Sequence, residues 1–175
     1  HIGVDLQAIT RALITNLKNY GKGKRLVGAS TITQQVAKNF LLSSEVTFER
    51  KIKEAILAIR IERAFSKKEI LELYLNEIYL GNNSYGIAAA ALNYFDKSLD
   101  DLTIDEAAFL ATLPKAPSKY NPKTNYERVL DRRNWVLNQM YKNGYLNSNE
   151  KNKFQSRKIV LTKSSGLDGT SAPYF

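Results

Sequence analysis

The chain has 175 residues, of which 43% are hydrophobic and 25% charged, which supports one domain with a core and argues against wholesale disorder. It has no cysteine and a single histidine, His1, which excludes disulfides, thiolate metal sites, cysteine nucleophiles and multi-histidine metal sites. Its 26 Lys and Arg against 17 Asp and Glu leave a formal charge of +9, which suits nucleic acid, anionic lipid or a phosphorylated substrate, or a well-solvated basic surface.

The elements read as helix after helix. Val4, Leu6, Ile9, Leu13 and Leu17 follow helical spacing up to the glycines at 21 and 23. Thr31 and Gln34 form a capping box for a helix expected over residues 31–42, with Ile32, Val36 and Phe40 on its apolar face. A third helix is expected over residues 47–64, its apolar positions Phe48, Ile52, Ala55, Ile56, Ile59 and Ala64. Ser66 and Glu69 cap a fourth, expected to reach Leu80 before Gly81 stops it. Residues 86–94 form a short alanine-rich helix, and the Thr103–Glu106 capping box opens one that ends at Pro114. Residues 115–122 read as a stiff loop.

A helix over residues 126–142 follows, with Val129, Leu130, Val136, Leu137, Met140 and Tyr141 inward and Gly144 as its stop. A short polar helix covers residues 148–155, and Ile159, Val160 and Leu161 are a candidate strand in an otherwise irregular end. The expected class is all-α, with one domain over residues 1–156 and a connecting segment over 157–175. No run approaches the roughly 20 apolar residues of a membrane span. An opening of His1-Ile2-Gly3-Val4-Asp5 with neither initiator Met nor signal pattern reads as an internal piece of a longer chain.

Four polar clusters carry the chemistry. In GASTITQQVAKN (Gly28 to Asn39), Thr31, Gln35 and Lys38 share a helix face beside a helix N-terminus, an arrangement suited to an anionic, oxygen-rich ligand. Equally, Thr31 and Gln34 can simply cap while Lys38 is solvated. In RKIKE (Arg50 to Glu54), Arg50 and Glu54 are i, i+4 neighbours flanked by Lys51 and Lys53, either a surface ion pair or a carboxylate held by cations near a phosphate surface. In KKEILELYLNEIYLG, ending at Gly81, Glu72, Asn76 and Tyr79 align at i, i+4, i+7, as a polar stripe or as hydrogen-bonded buttresses. EAAFLATLPKAPSKYNP (Glu106 to Pro122) is mostly packing and loop, with Lys115, Ser118 and Lys119 able to touch a ligand or simply solvated on its surface.

Together, in this order, the first three clusters resemble the second, third and fourth signature motifs of the peptidoglycan glycosyltransferases, the polymerising domains of bacterial class A penicillin-binding proteins. His1 to Asp5 is similar to the tail of the first motif, Glu-Asp-x-x-Phe-x-x-His-x-Gly. The fourth cluster, with YGIAAAALNYF before it, resembles the 1A type. The resemblance implies a lysozyme-like helical domain beside the membrane. Its reaction would join a growing glycan strand to lipid II through a β-1,4 bond, releasing undecaprenyl pyrophosphate.

By position, Thr31, Gln34, Gln35, Lys38, Asn39, Arg50, Lys51 and His1 would contact the substrate's sugar and phosphates, with Lys38 the main pyrophosphate cation. Glu54 would be the second family glutamate, near the reaction centre, supporting the donor or a metal ion. Ser30, Glu72, Tyr74 and Asn76 would be structural supports. The first-motif glutamate, the base, would precede His1, so the piece by itself is expected not to catalyse. Many members carry an arginine four residues before Arg50, where this chain has Val46.

Mg or Mn would enter with the substrate's pyrophosphate, and no all-protein metal site is visible. The partners implied are lipid II, the glycan strand and the membrane surface. The implied location is the periplasmic face of the bacterial inner membrane, anchored by an upstream helix. The rival readings are a glycan-cleaving enzyme on a similar fold, a non-catalytic lipid II binder, and a basic nucleic-acid module, for which no motif is present.

Overall fold

A computed structural model describes residues 3–21, 23, 27–40 and 47–162. It is all-helical: α1 (Leu6–Lys18), α2 (Ile32–Phe40), α3 (Phe48–Ala64), α4 (Lys67–Glu77), α5 (Ile87–Phe95), α6 (Ile104–Leu110), a 3₁₀ turn (Leu113–Lys115), α7 (Tyr126–Lys142) and α8 (Ser148–Ser156). The chain divides into two compact units, His1–Glu77 and Ile78–Phe175.

In the first unit α2 packs on α3 and α4, and Val36, Ala37, Ala58, Ile61 and Ile70 form a small aliphatic core. Side-chain caps start these helices. The Asp5 carboxylate accepts from the Ala8 N–H at 2.8 Å, and the Thr47 hydroxyl accepts from the Arg50 N–H at 3.1 Å. The buried faces differ from those the apolar spacing predicts. On α2 the interior takes Thr33, Gln34, Val36 and Ala37, while Ile32 and Phe40 are exposed. On α3 it takes Glu54, Ala58 and Ile61, leaving Phe48, Ile52 and Ile56 exposed. On α1, among the described side chains, Ala12 alone is buried, and Leu13 and Leu17 are exposed. On α2 and α3 paired polar groups claim the interior, so hydrophobicity alone misassigns those faces.

In the second unit a core of Leu80, Ala90, Ala91, Tyr94, Phe95, Phe109, Leu110, Leu113, Tyr120 and Val129 is organised by edge-on aromatic contacts, Tyr94 to Phe109 at 5.3 Å and Phe95 to Phe109 at 5.6 Å. Three expectations are corrected here. α4 stops at Glu77, short of Leu80, because Leu80 N–H donates to the Ser84 carbonyl and Gly86 N–H to the Ile78 carbonyl, folding residues 78–86 into a tight reversal. Tyr79 therefore leaves the helix face of Glu72 and Asn76 and packs on Tyr85, ring centroids 4.9 Å apart. On α7, Leu130 is only half-buried and Tyr141 is exposed, while the cationic Arg133 is wholly buried.

Residues 157–162 form no strand. They make an extended strap, with Ile159 and Leu161 packed against the core. Arg133 donates to the carbonyls of Arg157 (2.8 Å) and Gln155 (3.0 Å), and Arg157 pairs with Asp105 at 3.1 Å. The Ile159 N–H donates to the Tyr126 hydroxyl, and the Thr162 N–H to the Tyr94 carbonyl.

Candidate active site

The first unit gathers two of the sequence clusters around the start of α2. Glu54 projects from α3 into the interior, 2% exposed, which an unpaired carboxylate would not tolerate. It has two cationic partners from its own helix: Lys51 Nζ donates to Oε1 at 2.5 Å and Arg50 Nη1 to Oε2 at 3.4 Å. Lys51 also donates to the Ser30 hydroxyl at 2.9 Å, so one ammonium ties the loop before α2 to the α3 carboxylate. Arg50 Nε is buried with no hydrogen-bond partner among the described residues, which leaves a donor beside the carboxylate.

Thr31 links this loop to the start of the chain. Its hydroxyl donates to the Gly3 carbonyl at 2.7 Å and accepts from the Gln34 N–H at 3.1 Å, and the Gln34 side-chain oxygen accepts from the Thr31 N–H at 2.9 Å. Both side chains thus form the capping box that the sequence predicts. Gly3 has φ +77°, and a Cβ on it would meet the Ala58 carbonyl oxygen at 2.8 Å, so the chain crosses α3 where no larger residue fits.

Gln35 is half-buried, and Lys38 and Asn39 are exposed on α2. Tyr74 is half-buried against the aliphatic core, where burial pushes its hydroxyl pKa up, whereas Glu72 and Asn76 are exposed on α4. Lys115, Ser118 and Lys119 are exposed in the second unit. His1 and Val46 lie outside the described residues.

A second polar tie beneath α2 escapes the motif reading. Thr33, buried on α2, donates to Glu62 near the end of α3, and Lys67 at the start of α4 donates to the other Glu62 oxygen at 2.5 Å. Burial alone would raise the Glu62 carboxyl, but the hydrogen bonds from Lys67 and Thr33 outweigh it and hold the group below the ordinary carboxylate range. The signal was present in the spacing: Glu54, Ala58 and Glu62 recur at i, i+4, i+8 and share a face.

No group of three or more His, Cys, Asp or Glu side chains among the described residues is placed to hold a metal ion. Both Glu54 oxygens are also already engaged by cations. The described residues therefore form no protein cage for a divalent ion. The arrangement can instead hold an anion: a helix start, a half-buried guanidinium with a spare donor, and ammonium groups on adjoining turns.

Comparison with known proteins gives the family. The transglycosylase family profile matches residues 1–141. Penicillin-binding protein 1A of Rickettsia felis is 52% identical over 175 residues, covering 100% of this chain and 22% of the relative. That of Aquifex aeolicus is 53% identical over 163 residues, 93% of this chain and 22% of the relative. The chain thus spans about a fifth of the length of these curated relatives. The crystal structure of penicillin-binding protein 1A from Haemophilus influenzae superposes with a TM-score of 0.53 at 39% identity, covering 78% of this chain and 18% of that one.

Proposed function

Because the chain belongs to the transglycosylase family, we propose that it forms the sugar-transfer domain of a peptidoglycan glycosyltransferase. The donor is the growing glycan strand on undecaprenyl pyrophosphate and the acceptor is lipid II. The acceptor hydroxyl attacks the donor's anomeric carbon with inversion, and the bond to pyrophosphate breaks with its electron pair on the leaving group. The observation that carries this reading is the buried Glu54 held by Arg50 and Lys51, with Lys51 reaching Ser30 at the entry to α2.

Charge develops on the departing pyrophosphate, so catalysis needs cations and N–H dipoles fixed in advance. Lys38 is the main pyrophosphate cation, with Arg50, Lys51 and the α2 N-terminus adding to the field. Gln35 and Asn39 contact the donor's sugar and phosphates. Thr31 and Gln34 hold the helix start that faces them, and His1 is proposed as a further substrate contact. Glu54 fixes the two α3 cations, and Ser30, Glu72, Tyr74 and Asn76 support the site. No described residue is assigned as the base. Mg or Mn, where present, would bind with the substrate's pyrophosphate and neutralise part of its charge.

A membrane-borne substrate fits the +9 charge and the exposed Leu13, Ile14, Leu17 and Tyr20 of the first unit. No described helix is long and apolar enough to cross a membrane. The reaction is placed at the periplasmic face of the inner membrane. Residues 1–156 are proposed as the sugar-transfer domain and 157–175 as its connection onward.

Lys38→Ala tests the assignment. In the intact protein it should abolish binding of the phosphoglycolipid moenomycin and stop lipid II polymerisation, with the melting temperature retained. Unchanged affinity would remove Lys38 from the pyrophosphate site. Cleavage of glycan without polymerisation by the parent protein would overturn the reaction itself.

A further inference from the structure

The Thr33–Glu62–Lys67 tie lies on the opposite side of α2 from the groups assigned to the pyrophosphate. At 100° per residue, Gln35 and Lys38 leave the helix roughly 140–160° around the axis from Thr33. The apolar contacts beneath α2 come from small or aliphatic side chains: Val36 and Ala37 on the helix, and Ala58, Ile61 and Ile70 below. Such packing is non-directional and sets the depth of a helix better than its roll. A hydrogen bond is directional. Thr33 is 4% exposed and its partner carboxylate is 8% exposed, so water does not readily replace the bond. Lys67 holds the carboxylate from α4, tying three helices at one point.

Resting on the function proposed above, we propose that Glu62, with Thr33 and Lys67, is a positioning unit that sets the roll of α2 and so aims Gln35 and Lys38 at the donor pyrophosphate. A roll of about 20° displaces a group ~6 Å from the helix axis by roughly 2 Å, more than a hydrogen bond tolerates. Glu62 touches no substrate and acts through Thr33.

The experiment measures moenomycin affinity and melting temperature of the intact protein in parallel. Thr33→Val and Glu62→Gln should each weaken affinity about tenfold, and Thr33→Ser, which keeps the hydroxyl, should stay within about twofold of the parent. Ile70→Val thins the same core and is the stability control, expected to lower the melting temperature with affinity kept. Should Glu62→Gln fail to fold, the Thr33→Val and Thr33→Ser pair decides. The positioning role is overturned if Thr33→Val lowers only the melting temperature, or if Ile70→Val costs as much affinity. Failure of the donor-site assignment is separate and shows as unchanged affinity in Lys38→Ala.

Discussion

Glu54 and Arg133 are both charged and both buried, and they differ in how far the sequence reveals them. Glu54 sits in a motif with two cations at helical spacing, so its partners are legible four and three residues away. Arg133 is held by the carbonyls of Gln155 and Arg157 and by the Asn134 side chain, and two of these partners are more than twenty residues distant. No local pattern announces such contacts. Tyr94 is a third case. It is buried, donates to the Leu80 carbonyl at 3.0 Å, and has its pKa pushed up to about 12 by burial and then by the neighbouring Tyr79. A folded pKa raised above the ordinary value of 10.0 gives stability that is complete below pH 10 and lost as pH climbs towards 12, where the unfolded chain ionises first. Plots of melting temperature against pH should therefore steepen across that window. Tyr94→Phe should flatten them while lowering stability at pH 7 by about 1 kcal/mol for the lost hydrogen bond.

Among the elements, helix positions were legible and helix faces were not. Capping signals are local chemistry, so the starts of α2, α4 and α6 fall where Thr31, Ser66 and Thr103 place them. The end of α4 was missed because hydrogen bonds of Ser84 and Gly86 compete with the helix, a contest invisible in the helix's own sequence. The faces of α2 and α3 were missed because burial followed the ion-paired Glu54 and the Thr33–Glu62 bond rather than Ile32, Phe40, Phe48 and Ile52. α8 buries none of its residues and leans most on its cap, in which Asn147 accepts from the Glu150 N–H at 2.9 Å and Glu150 accepts from the Asn147 N–H at 2.8 Å. Asn147→Ala should cost about 1 kcal/mol in a urea titration and Asn147→Asp much less. Equal losses for the two would place the stability of α8 in its packing instead.

Across the whole molecule, the all-helical class and the family follow from three motifs in order, and the +9 charge gains meaning only beside them. The exposed apolar residues of α1 give that charge a second component. Association with vesicles containing anionic lipid should fall as salt rises from 0.05 to 0.5 M (order-of-magnitude range), while a residual, salt-resistant part should vanish in Leu13→Asp/Leu17→Asp. Binding that salt abolishes entirely in the parent protein would leave α1 no share in it. The strap over residues 157–162 has a mechanical consequence. A pull on the chain beyond Thr162 reaches the Thr162–Tyr94 bond first, then the Ile159–Tyr126 bond, and then the grip of Arg133 on Arg157 and Gln155. Tension is thus handed to α5 and α7 in turn, and α8 can fray without the strap letting go.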